Sequence, residues 1–402
     1  MRPTLDRLVV MAALLTVACS RLQAGELRVE DFCFDGPLGS EGAKIEKAGD
    51  NHFRVTLSSA PTHADWANNC QFHIVRNAQG KALRLEVRFE HPKPRFAFDE
   101  YFHSWSYDGR EWEPIRWEKK TNGKQNELVF PVFARDEVWF GLQVPMSYED
   151  TTALLAQWSK HPAVVIREVG VSLGGRKLQR LEITEPQSPH ARDKRWVHYF
   201  ANQHPGEHNS QWRMVAMIDW LLSDSGADCR RRSICHFVLM MSPDGPSKGW
   251  YRVNAQGVDM NRSYRVEGAD AASQAHEAYL FQKDLEAIMA SSSPVTDIWS
   301  MHTWGGVVDP LLTAGPEFGG VLGTKEAFAE ILARHDTQKL VKPLQFCADR
   351  GETTWSGGPG RQFKITSVLC EGAGAILTKR ENLQSGETLI KAVAEHYRGL
   401  RP

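Results

Sequence analysis

The pattern of apolar residues changes about a third of the way along the chain, and this change constrains the fold more than any other feature. From Glu26 to about Pro145, apolar and polar residues alternate in short runs such as Phe53 to Leu57, and Asp-Gly and Asn-Gly turns separate some of these runs. Short alternating segments are typical of antiparallel strands that pack face to face. We therefore predict an antiparallel β-sandwich domain over residues 25–146.

The remainder of the chain alternates strands with helices, beginning with a predicted helix from Tyr148 to Lys160. This alternation predicts an α/β domain over residues 147–402, whose mixed, mostly parallel sheet is flanked by helices. Four short apolar runs that end in polar or turn residues are predicted as inner strands of this sheet. These runs are Trp196–Ala201, Cys235–Met241, Thr296–Met301 and Ile365–Cys370.

Chemically reactive side chains follow three of these predicted strands. His204 and Glu207 come after the first strand, His302 after the third, and Glu371 after the fourth. Ligands bind outside the carboxyl ends of the strands in open α/β sheets, so these side chains are expected to meet in one crevice. Two histidines and one glutamate form a zinc-binding set that leaves one coordination position open for chemistry.

The segment His204–His208 also fits the pattern HxxEH, in which both histidines face one side of a helix. Pro205 and Gly206 disfavour that helix, because proline removes a backbone donor and glycine costs about 1 kcal/mol in a helix interior. His208 is therefore predicted to be a bystander or a supporting group near the metal ligands. Without His302, a histidine and a glutamate at this spacing would equally fit a surface histidine and a helix-capping acid.

Charge and composition exclude two other classes of function. The chain has 48 Lys and Arg residues against 49 Asp and Glu residues, a net charge of -1, and so no long-range attraction toward nucleic acid. With 42% hydrophobic and 24% charged residues, it is too polar for a bundle of membrane spans. We expect neither a nucleic-acid partner nor an integral membrane span.

The N-terminus follows the plan of a signal peptide. Two arginines precede an apolar run from Leu8 to Ala18 that is too short to span a bilayer, and the small residue Ala24 ends the segment. We predict a signal peptide over residues 1–24 and export of the mature chain, either to the periplasm or by secretion. A lipid anchor at Cys19 and a buried N-terminal helix are the alternatives.

The cysteine content is compatible with export. Of the seven cysteines, six remain when Cys19 is removed with the signal, an even number that suits an oxidising compartment. Local bridges Cys33–Cys70 and Cys229–Cys235 would use four of them, but buried neutral thiols explain the residues equally well. The chain has no CxxC pair, which disfavours a sulfur-ligated zinc site.

Aromatic residues are frequent in the predicted sandwich. Packing inside the sandwich explains most of them, including Trp105, Tyr107 and Trp112. The alternative is that these three rings form an exposed surface that contacts a glycan, since exposed aromatic rings need a reason to be there.

Several motifs in a fixed order resemble one family. HPGE begins at His204, PDG at Pro243 is followed by Tyr251-Arg252, GVDxNR begins at Gly257, and two predicted strands end in a histidine and a glutamate. This set resembles the zinc carboxypeptidases of the funnelin group, most closely the cytosolic carboxypeptidase branch and its bacterial relatives, in which a small β-sandwich precedes the catalytic domain. The resemblance covers roughly residues 26–400, and the ordered set is far more specific than any single motif.

The resemblance implies a metal site and a catalytic base. It makes His204, Glu207 and His302 the ligands of one Zn²⁺ per chain, with Asp259 supporting a ligand histidine. Glu371 would be the general base that takes a proton from the zinc-bound water and passes it to the departing amine. An acid in a helix or loop after a strand is what Glu371 would otherwise be.

The resemblance also implies a substrate site. Asn261 and Arg262 would hold the terminal carboxylate of a peptide, because a guanidinium can bind both carboxylate oxygens. Arg252 resembles the family arginine that polarises the scissile carbonyl and holds the oxyanion. Arg361, with two neighbouring cations, would favour acidic terminal side chains or would belong to a solvated loop; those neighbours are Arg350 and Lys364.

The predicted function is that of a zinc metallocarboxypeptidase, which hydrolyses the last amide bond of a peptide. One alternative is a zinc amidase or endopeptidase that acts on peptidoglycan stem peptides or acylated amino acids. Another is a non-catalytic carbohydrate-binding or adhesion protein. One departure from the family is that no tyrosine lies between Tyr279 and Glu371 to serve as a mobile lid, and Trp355 is the nearest large aromatic residue.

Overall fold

The computed structural model of the protein describes residues 25–95, 102–115, 119–121, 124–304, 311–313, 325–339, 345–346, 351–373 and 378–400. The predicted signal peptide with Cys19 lies outside these residues, and so does Arg350, one of the cations considered for the terminal side chain. Within the described residues, no helix combines the length and the apolar character that crossing a bilayer requires.

Two five-stranded sheets form the N-terminal part of the chain. Their apolar faces share one buried cluster, to which Phe53 and Leu85 contribute from one sheet and Phe72 and Phe140 from the other. The alternating positions from Phe53 to Leu57 are the buried positions of a strand, as predicted. In chain order the strands are β1 Phe32–Cys33, β2 Lys44–Gly49, β3 His52–Leu57, β4 Ser59–Ala60, β5 His63–Ala67, β6 Phe72–Ile74, β7 Ala82–Phe89, β8 His103–Ser106, β9 Trp112–Ile115, β10 Lys119–Thr121, β11 Lys124–Val132 and β12 Val138–Leu142.

The pairing of these strands differs in one detail from a purely antiparallel sandwich. The sheets have the orders β1-β6-β12-β8-β9 and β10-β11-β7-β3-β2, and β4 pairs with β5 in a separate hairpin. β3 and β7 run parallel, with Phe53 opposite Leu85. The reason is that the chain crosses to the other sheet between them, where it forms β6, and returns in the same direction.

A mixed eight-stranded sheet forms the α/β domain, in the order β13-β14-β16-β15-β17-β20-β18-β19. Its four central strands, from β16 to β20, run parallel, whereas antiparallel pairs join β13, β14 and β18 to them. The four predicted inner strands are present, with ends that differ by at most three residues. The strands are β13 Val164–Val171, β14 Lys177–Ile183, β15 Trp196–Asn202, β16 Ser233–Val238, β17 Asp297–Trp304, β18 Leu311–Thr313, β19 Gln345–Phe346 and β20 Thr366–Ala373.

Helices cover both faces of this sheet, as the alternation predicts. Phe200 and Trp299 point into the cluster under the helices α2 and α8, whereas Tyr199 lies in the cluster under α5. The predicted first helix begins at Tyr148, where Ser147 and Asp150 form a capping box. The helices are α1 Tyr148–Trp158, α2 His208–Leu222, α3 Ala227–Arg232, α4 Gly245–Lys248, α5 His276–Met289, α6 Lys325–His335, α7 Gly358–Phe363 and α8 Lys379–Arg398.

The sandwich packs against one loop of the α/β domain through backbone hydrogen bonds. Gly39 N donates to Pro246 O at 3.1 Å, and Asn69 N donates to Gly249 O at 2.7 Å. The β4–β5 hairpin contacts the same loop further along, where His63 Nε2 lies 2.8 Å from Gly257 O. The sandwich therefore supports the connection that carries the PDG, YR and GVDxNR motifs.

The described cysteines are thiols, so neither of the two local bridges considered above is formed. Cys33 is half-buried, and the other four, Cys70, Cys229, Cys235 and Cys370, are buried. Burial raises the pKa of the Cys70 thiol well above its usual range, because the thiolate would be desolvated. The four buried cysteines lie in the two cores, Cys70 in the sandwich and the other three in the α/β domain.

Gly386 sets the distance between α2 and α8. A Cβ atom on Gly386 would lie 2.1 Å from the carbonyl oxygen of Arg213, a backbone contact that no side-chain rearrangement relieves. We expect Gly386→Ala to lower stability by at least about 1 kcal/mol, although alanine favours helices by about 1 kcal/mol over glycine. Thermal unfolding measures the effect. Gly399→Ala is the matched control and should be neutral, because its Cβ would meet only His396 O at 3.5 Å.

Candidate metal centre

The carboxyl ends of adjacent parallel strands bring the predicted residues together. β15 leads into His204 and Glu207, β17 carries His302, and β20 carries Glu371. β15 pairs with β17, and β17 pairs with β20 so that His302 lies directly opposite Glu371. These residues therefore meet at one edge of the sheet, as the strand-end rule requires.

His204, Glu207 and His302 form one buried cluster in which each offers a ligand atom within 4.8 Å of the others. Glu207 bridges the two rings, since its Oε1 lies 2.8 Å from His204 Nδ1 and its Oε2 lies 2.8 Å from His302 Nδ1. The two Nδ1 atoms are 3.1 Å apart. This is the only such cluster among the described residues.

The cluster fits zinc. Nitrogen and oxygen ligands at about 2.0–2.1 Å around a tetrahedral ion lie roughly 3.4 Å from one another, close to the separations of the three groups. Two imidazoles and one carboxylate are also the donor types of catalytic zinc sites. The described residues place no fourth histidine, cysteine or acid in the cluster, which leaves a coordination position for water or substrate.

A tight turn rather than a helix presents the first two ligands. α2 begins only at His208, and Glu207 precedes it. Gly206 N donates to Tyr251 O at 2.9 Å, and a Cβ atom on Gly206 would lie 2.7 Å from the backbone of Tyr251. The close approach requires glycine, and the rejection of an HxxEH helix agrees with this geometry.

His208, which completes that pattern, faces away from the metal ligands. Its Nδ1 accepts from Met146 N at 3.3 Å, and its Nε2 lies 3.3 Å from the side chain of Gln71. Burial lowers the pKa of His208 to about 4, so the ring is neutral at ordinary pH. His208 joins the sandwich to the α/β domain.

Charge is concentrated around the cluster. Burial alone would raise the pKa of Glu207, but the two ligand histidines hold it well below the usual range. Burial and Arg252 oppose protonation of His204, yet Glu207 and Asp259 outweigh them and raise the pKa of His204. For His302, burial dominates and lowers the pKa. The site thus holds buried negative charge that a cation would neutralise.

Asp259 contacts both His204 and Arg252. Asp259 Oδ1 lies 3.0 Å from His204 Nε2, and Asp259 Oδ2 accepts from Arg252 Nε at 2.6 Å. The histidine and Arg252 together hold the pKa of Asp259 below its usual range despite burial. The carboxylate therefore orients a ligand ring and the guanidinium at the same time.

The predicted substrate residues occupy different environments. Asn261 is buried, its Oδ1 accepts from Trp355 N at 2.8 Å, and its Nδ2 lies 3.2 Å from His302 Nε2. Arg262 is exposed, and its guanidinium donates to Asn261 O at 2.8 Å. Arg361 is half-buried on α7. Arg262 is therefore the exposed neighbour of Asn261, and Asn261 is the residue that contacts a metal-ligand histidine.

Glu371 is half-buried beside the cluster. Desolvation, followed by the negative charge of Glu207, raises the pKa of Glu371 to about 8, against the opposing charges of His204, Arg252 and Arg213. A divalent cation on the three ligands would add positive charge here and lower that pKa. The carboxyl group can thus take up a proton beside the three clustered residues.

Sequence reasoning missed the groups that hold these residues from behind. Thr303 N donates to Glu207 Oε2 at 3.1 Å, and Ser300 Oγ lies 2.9 Å from His302 Nε2 and 2.8 Å from Gln203 Oε1. The sequence could have revealed Ser300, because it precedes His302 by two residues on a predicted strand and residues two apart on a strand share a face. A backbone donor such as Thr303 N leaves no sequence signal.

Arg213 is a second residue that the sequence did not reveal. It is fully buried on α2, and its guanidinium donates to Cys370 Sγ at 2.9 Å. A Cβ atom on Gly372 would lie 2.8 Å from this guanidinium, so the glycine next to Glu371 makes room for the charge. The sequence did contain one sign of a buried charge, a single arginine among the apolar residues of the predicted helix.

Trp355 does not replace the missing lid tyrosine in this structure. It is fully buried, and its ring packs edge-on against Tyr264 with centroids 5.3 Å apart. It belongs to the core under α5. Residues 305–310, 314–324 and 347–350, which precede it, lie outside the described residues.

An aromatic groove of about 740 Å³ lies on the sandwich, far along the chain from the metal ligands. Trp105 and Tyr107 line it, and both rings also pack edge-on against each other and Phe133. Trp112 Nε1 donates to Gly109 O at 3.2 Å. The aromatic residues are thus partly core and partly groove wall.

Comparisons with known proteins relate part of the chain to zinc carboxypeptidases. The family model described as zinc carboxypeptidase matches residues 151–300. The chain is 30% identical over 177 residues to cytosolic carboxypeptidase 2 of Xenopus tropicalis, which is 40% of this chain and 18% of the relative. It is 29% identical over 248 residues to cytosolic carboxypeptidase 3 of Mus musculus, 55% of this chain and 24% of the relative. The chain thus spans roughly a fifth of the length of these curated relatives.

Solved structures share the fold over nearly the whole chain. The metallo-carboxypeptidase of Burkholderia cenocepacia superimposes with a TM-score of 0.75 and 18% identity, covering 92% of this chain and 99% of that one. The metallo-carboxypeptidase of Pseudomonas aeruginosa superimposes with a TM-score of 0.69 and 18% identity, covering 92% of this chain and 100% of that one. The family match identifies a zinc carboxypeptidase domain over residues 151–300, and these solved structures share the fold of the chain.

Proposed function

We propose that this protein is a zinc metallocarboxypeptidase that hydrolyses the last amide bond of peptides. The observation that carries the proposal is the convergence of His204, Glu207 and His302 on one buried point with Glu371 on the neighbouring strand. Three ligands and an adjacent carboxyl group are the parts that metal-assisted hydrolysis needs. The match of residues 151–300 to the zinc carboxypeptidase family supports metal-assisted hydrolysis as well.

The residues divide the chemistry among themselves. Zinc bound by the three ligands would supply a Lewis acid that polarises the attacking water and the scissile carbonyl. Glu371, in its unprotonated form, accepts the proton of that water and returns it to the departing amine. Arg252, oriented by Asp259, directs its guanidinium at the oxygen on which negative charge develops.

Recognition of a free C-terminus falls to Arg262. Its side chain is exposed immediately beside the buried Asn261, so a peptide carboxylate can reach it without displacing any core contact. A guanidinium binds both carboxylate oxygens at once, which places the last amide bond at a fixed distance from the anchor. Arg361 on α7 would add a contact to an acidic terminal side chain.

The alternative functions make different use of Arg262 and Glu371. An amidase or endopeptidase that acts on peptidoglycan stems or acylated amino acids would use the same metal ligands without needing a terminal carboxylate. A purely adhesive protein would have no use for Glu371 or for a complete ligand set. A glycan contact by the N-terminal domain remains a prediction, supported by the groove that Trp105 and Tyr107 line beside acidic residues.

Glu371→Gln tests the base. Glutamine preserves the shape and the hydrogen bonding of the side chain but cannot accept the proton, so we expect kcat to fall by a factor on the order of 10² to 10⁴. Zinc content and KM should stay near wild type. Release of the last residue from short peptides ending in Glu, Lys or Phe, together with metal analysis, measures all three quantities.

His204→Ala is the matched control, because it removes a metal ligand instead of the base. It should lose zinc as well as activity, since two protein ligands remain. Wild-type turnover by Glu371→Gln on a substrate that the enzyme cleaves well would exclude Glu371 as the base.

Arg262→Ala tests recognition of the free C-terminus. We expect KM for peptides with a free carboxylate to rise by about 10-fold or more, since charge-assisted hydrogen bonds are worth about 1.5–3 kcal/mol. The preference of the enzyme for free over amidated peptides should shrink. Arg265→Ala, which removes another exposed arginine three residues further on, should leave both values unchanged. Equal cleavage of free and amidated peptides by the wild type would favour the amidase or endopeptidase instead.

We also propose that the protein is exported, on the basis of its N-terminal apolar segment and small-residue exit. The mature chain should begin near Gly25 and fractionate outside the cytoplasm. N-terminal sequencing of protein from each cell fraction measures this. A chain that retains Met1 in the soluble cytoplasmic fraction would contradict export, and recovery of lipid-modified Cys19 in the membrane fraction would favour the anchored form.

A further inference from the structure

We propose that Ser300 and Gln203 act as a unit that positions His302 for metal binding. Ser300 Oγ accepts the hydrogen carried by Nε2 of His302, and Gln203 Oε1 accepts the hydroxyl hydrogen of Ser300 and so fixes its direction. The proposal rests on the zinc site of the proposed function. Both are positioning residues that lie outside the set of metal ligands. Ser300 contacts the ligand His302 directly, and Gln203 acts on it through Ser300.

The three side chains form a short buried chain of hydrogen bonds. Ser300 precedes His302 by two residues on β17, so both point to the same face of the sheet. Ser300 Oγ lies 2.9 Å from His302 Nε2 and 2.8 Å from Gln203 Oε1. Gln203 and Ser300 are fully buried and His302 is 2% exposed, so bulk water cannot replace a missing partner.

The direction of these bonds follows from one backbone contact. Gln203 Nε2 donates to Ala201 O at 2.9 Å, which turns the amide so that Oε1 faces Ser300. The single hydroxyl hydrogen of Ser300 then donates to Gln203 Oε1, and the oxygen is left to accept from His302 Nε2. A hydrogen on Nε2 leaves the Nδ1 lone pair of His302 available to a metal.

Asn261 favours the opposite tautomer. Trp355 N donates to Asn261 Oδ1, which turns Nδ2 toward His302 Nε2 at 3.2 Å. Nδ2 can only donate, so this contact requires a lone pair on Nε2 and a hydrogen on Nδ1. Nδ1 would then donate to Glu207 Oε2, 2.8 Å away, and could not bind a metal.

The balance between the two tautomers therefore depends on Ser300 and Gln203. His204 already has a carboxylate on its Nε2, supplied by Asp259, and no carboxylate contacts Nε2 of His302 within the described residues. The neutral serine-glutamine pair takes the place that Asp259 takes for His204. Partners of this kind on ligand histidines typically contribute about 10–100-fold in metal affinity.

The zinc dissociation constant tests the proposal without any measurement of activity. We expect Ser300→Ala to weaken zinc binding by about 10–100-fold in competition with a chelator, and Ser300→Thr, which keeps the hydroxyl, to restore most of it. Gln203→Met should cause a smaller loss. The double variant should bind no more weakly than Ser300→Ala alone, because the chain of hydrogen bonds is already broken.

Ser233→Ala is the matched control. Ser233 is a buried serine whose Oγ lies 3.3 Å from the Nε2 of another buried histidine, His198, at the opposite end of β15. Ser233→Ala and Ser300→Ala should lower the thermal unfolding midpoint of the metal-free protein by similar amounts. Only Ser300→Ala should change the zinc dissociation constant, which separates positioning from general stability.

Three results would overturn the inference. Wild-type zinc affinity in Ser300→Ala would show that Ser300 has no role in positioning His302. Additive losses of affinity in the double variant would show that Ser300 and Gln203 do not act as a unit. If Ser300→Ala fails to fold, wild-type zinc affinity in Gln203→Met still overturns the proposal. Failure of the wild type to bind zinc is a different outcome, because it contradicts the proposed function itself.

Discussion

The rest of the site depends on the contacts of the buried Glu207 carboxylate with His204 and His302. The carboxylate lies between two imidazole rings at 2.8 Å from each and receives a third bond from Thr303 N. A carboxylate in such a position is costly unless positive charge and hydrogen bonds compensate it. The site supplies both, through a histidine paired with Asp259 and through the cation that the three ligand atoms can share.

That arrangement requires both halves of the chain. The connection that carries Arg252 and Asp259 has little regular structure of its own, and it is held by the sandwich at Gly249 and Gly257. The sandwich is therefore part of the scaffold of the site, since it supports the connection that orients a ligand histidine. A ligand held within a few tenths of an ångström needs such support, because small displacements are costly in metal binding and catalysis.

Much of the fold, and the meeting of four candidate residues at one sheet edge, could be predicted from local patterns. Alternation identified the strand from Phe53 to Leu57, and short apolar runs identified the four inner strands, because burial imposes a period that the sequence displays. The residues that follow three of those strands meet in the structure, because parallel strands deliver their carboxyl ends to one edge of the sheet. The parallel pairing of β3 with β7 was not predictable, since it depends on how the chain crosses between sheets.

By itself the sequence determined which residues could take part in catalysis. Imidazoles and carboxylates that follow several strands in a fixed order are seldom explained by structural roles alone. Only the tertiary structure decided how each one is held. It placed Asn261 inside, with both ends of its amide engaged, left Arg262 exposed, and made Trp355 a core residue. It also brought Gln203 and Ser300, 97 positions apart, into hydrogen-bond distance. The physical reason is that hydrogen-bond partners across a sheet are set by strand register, which no local pattern records.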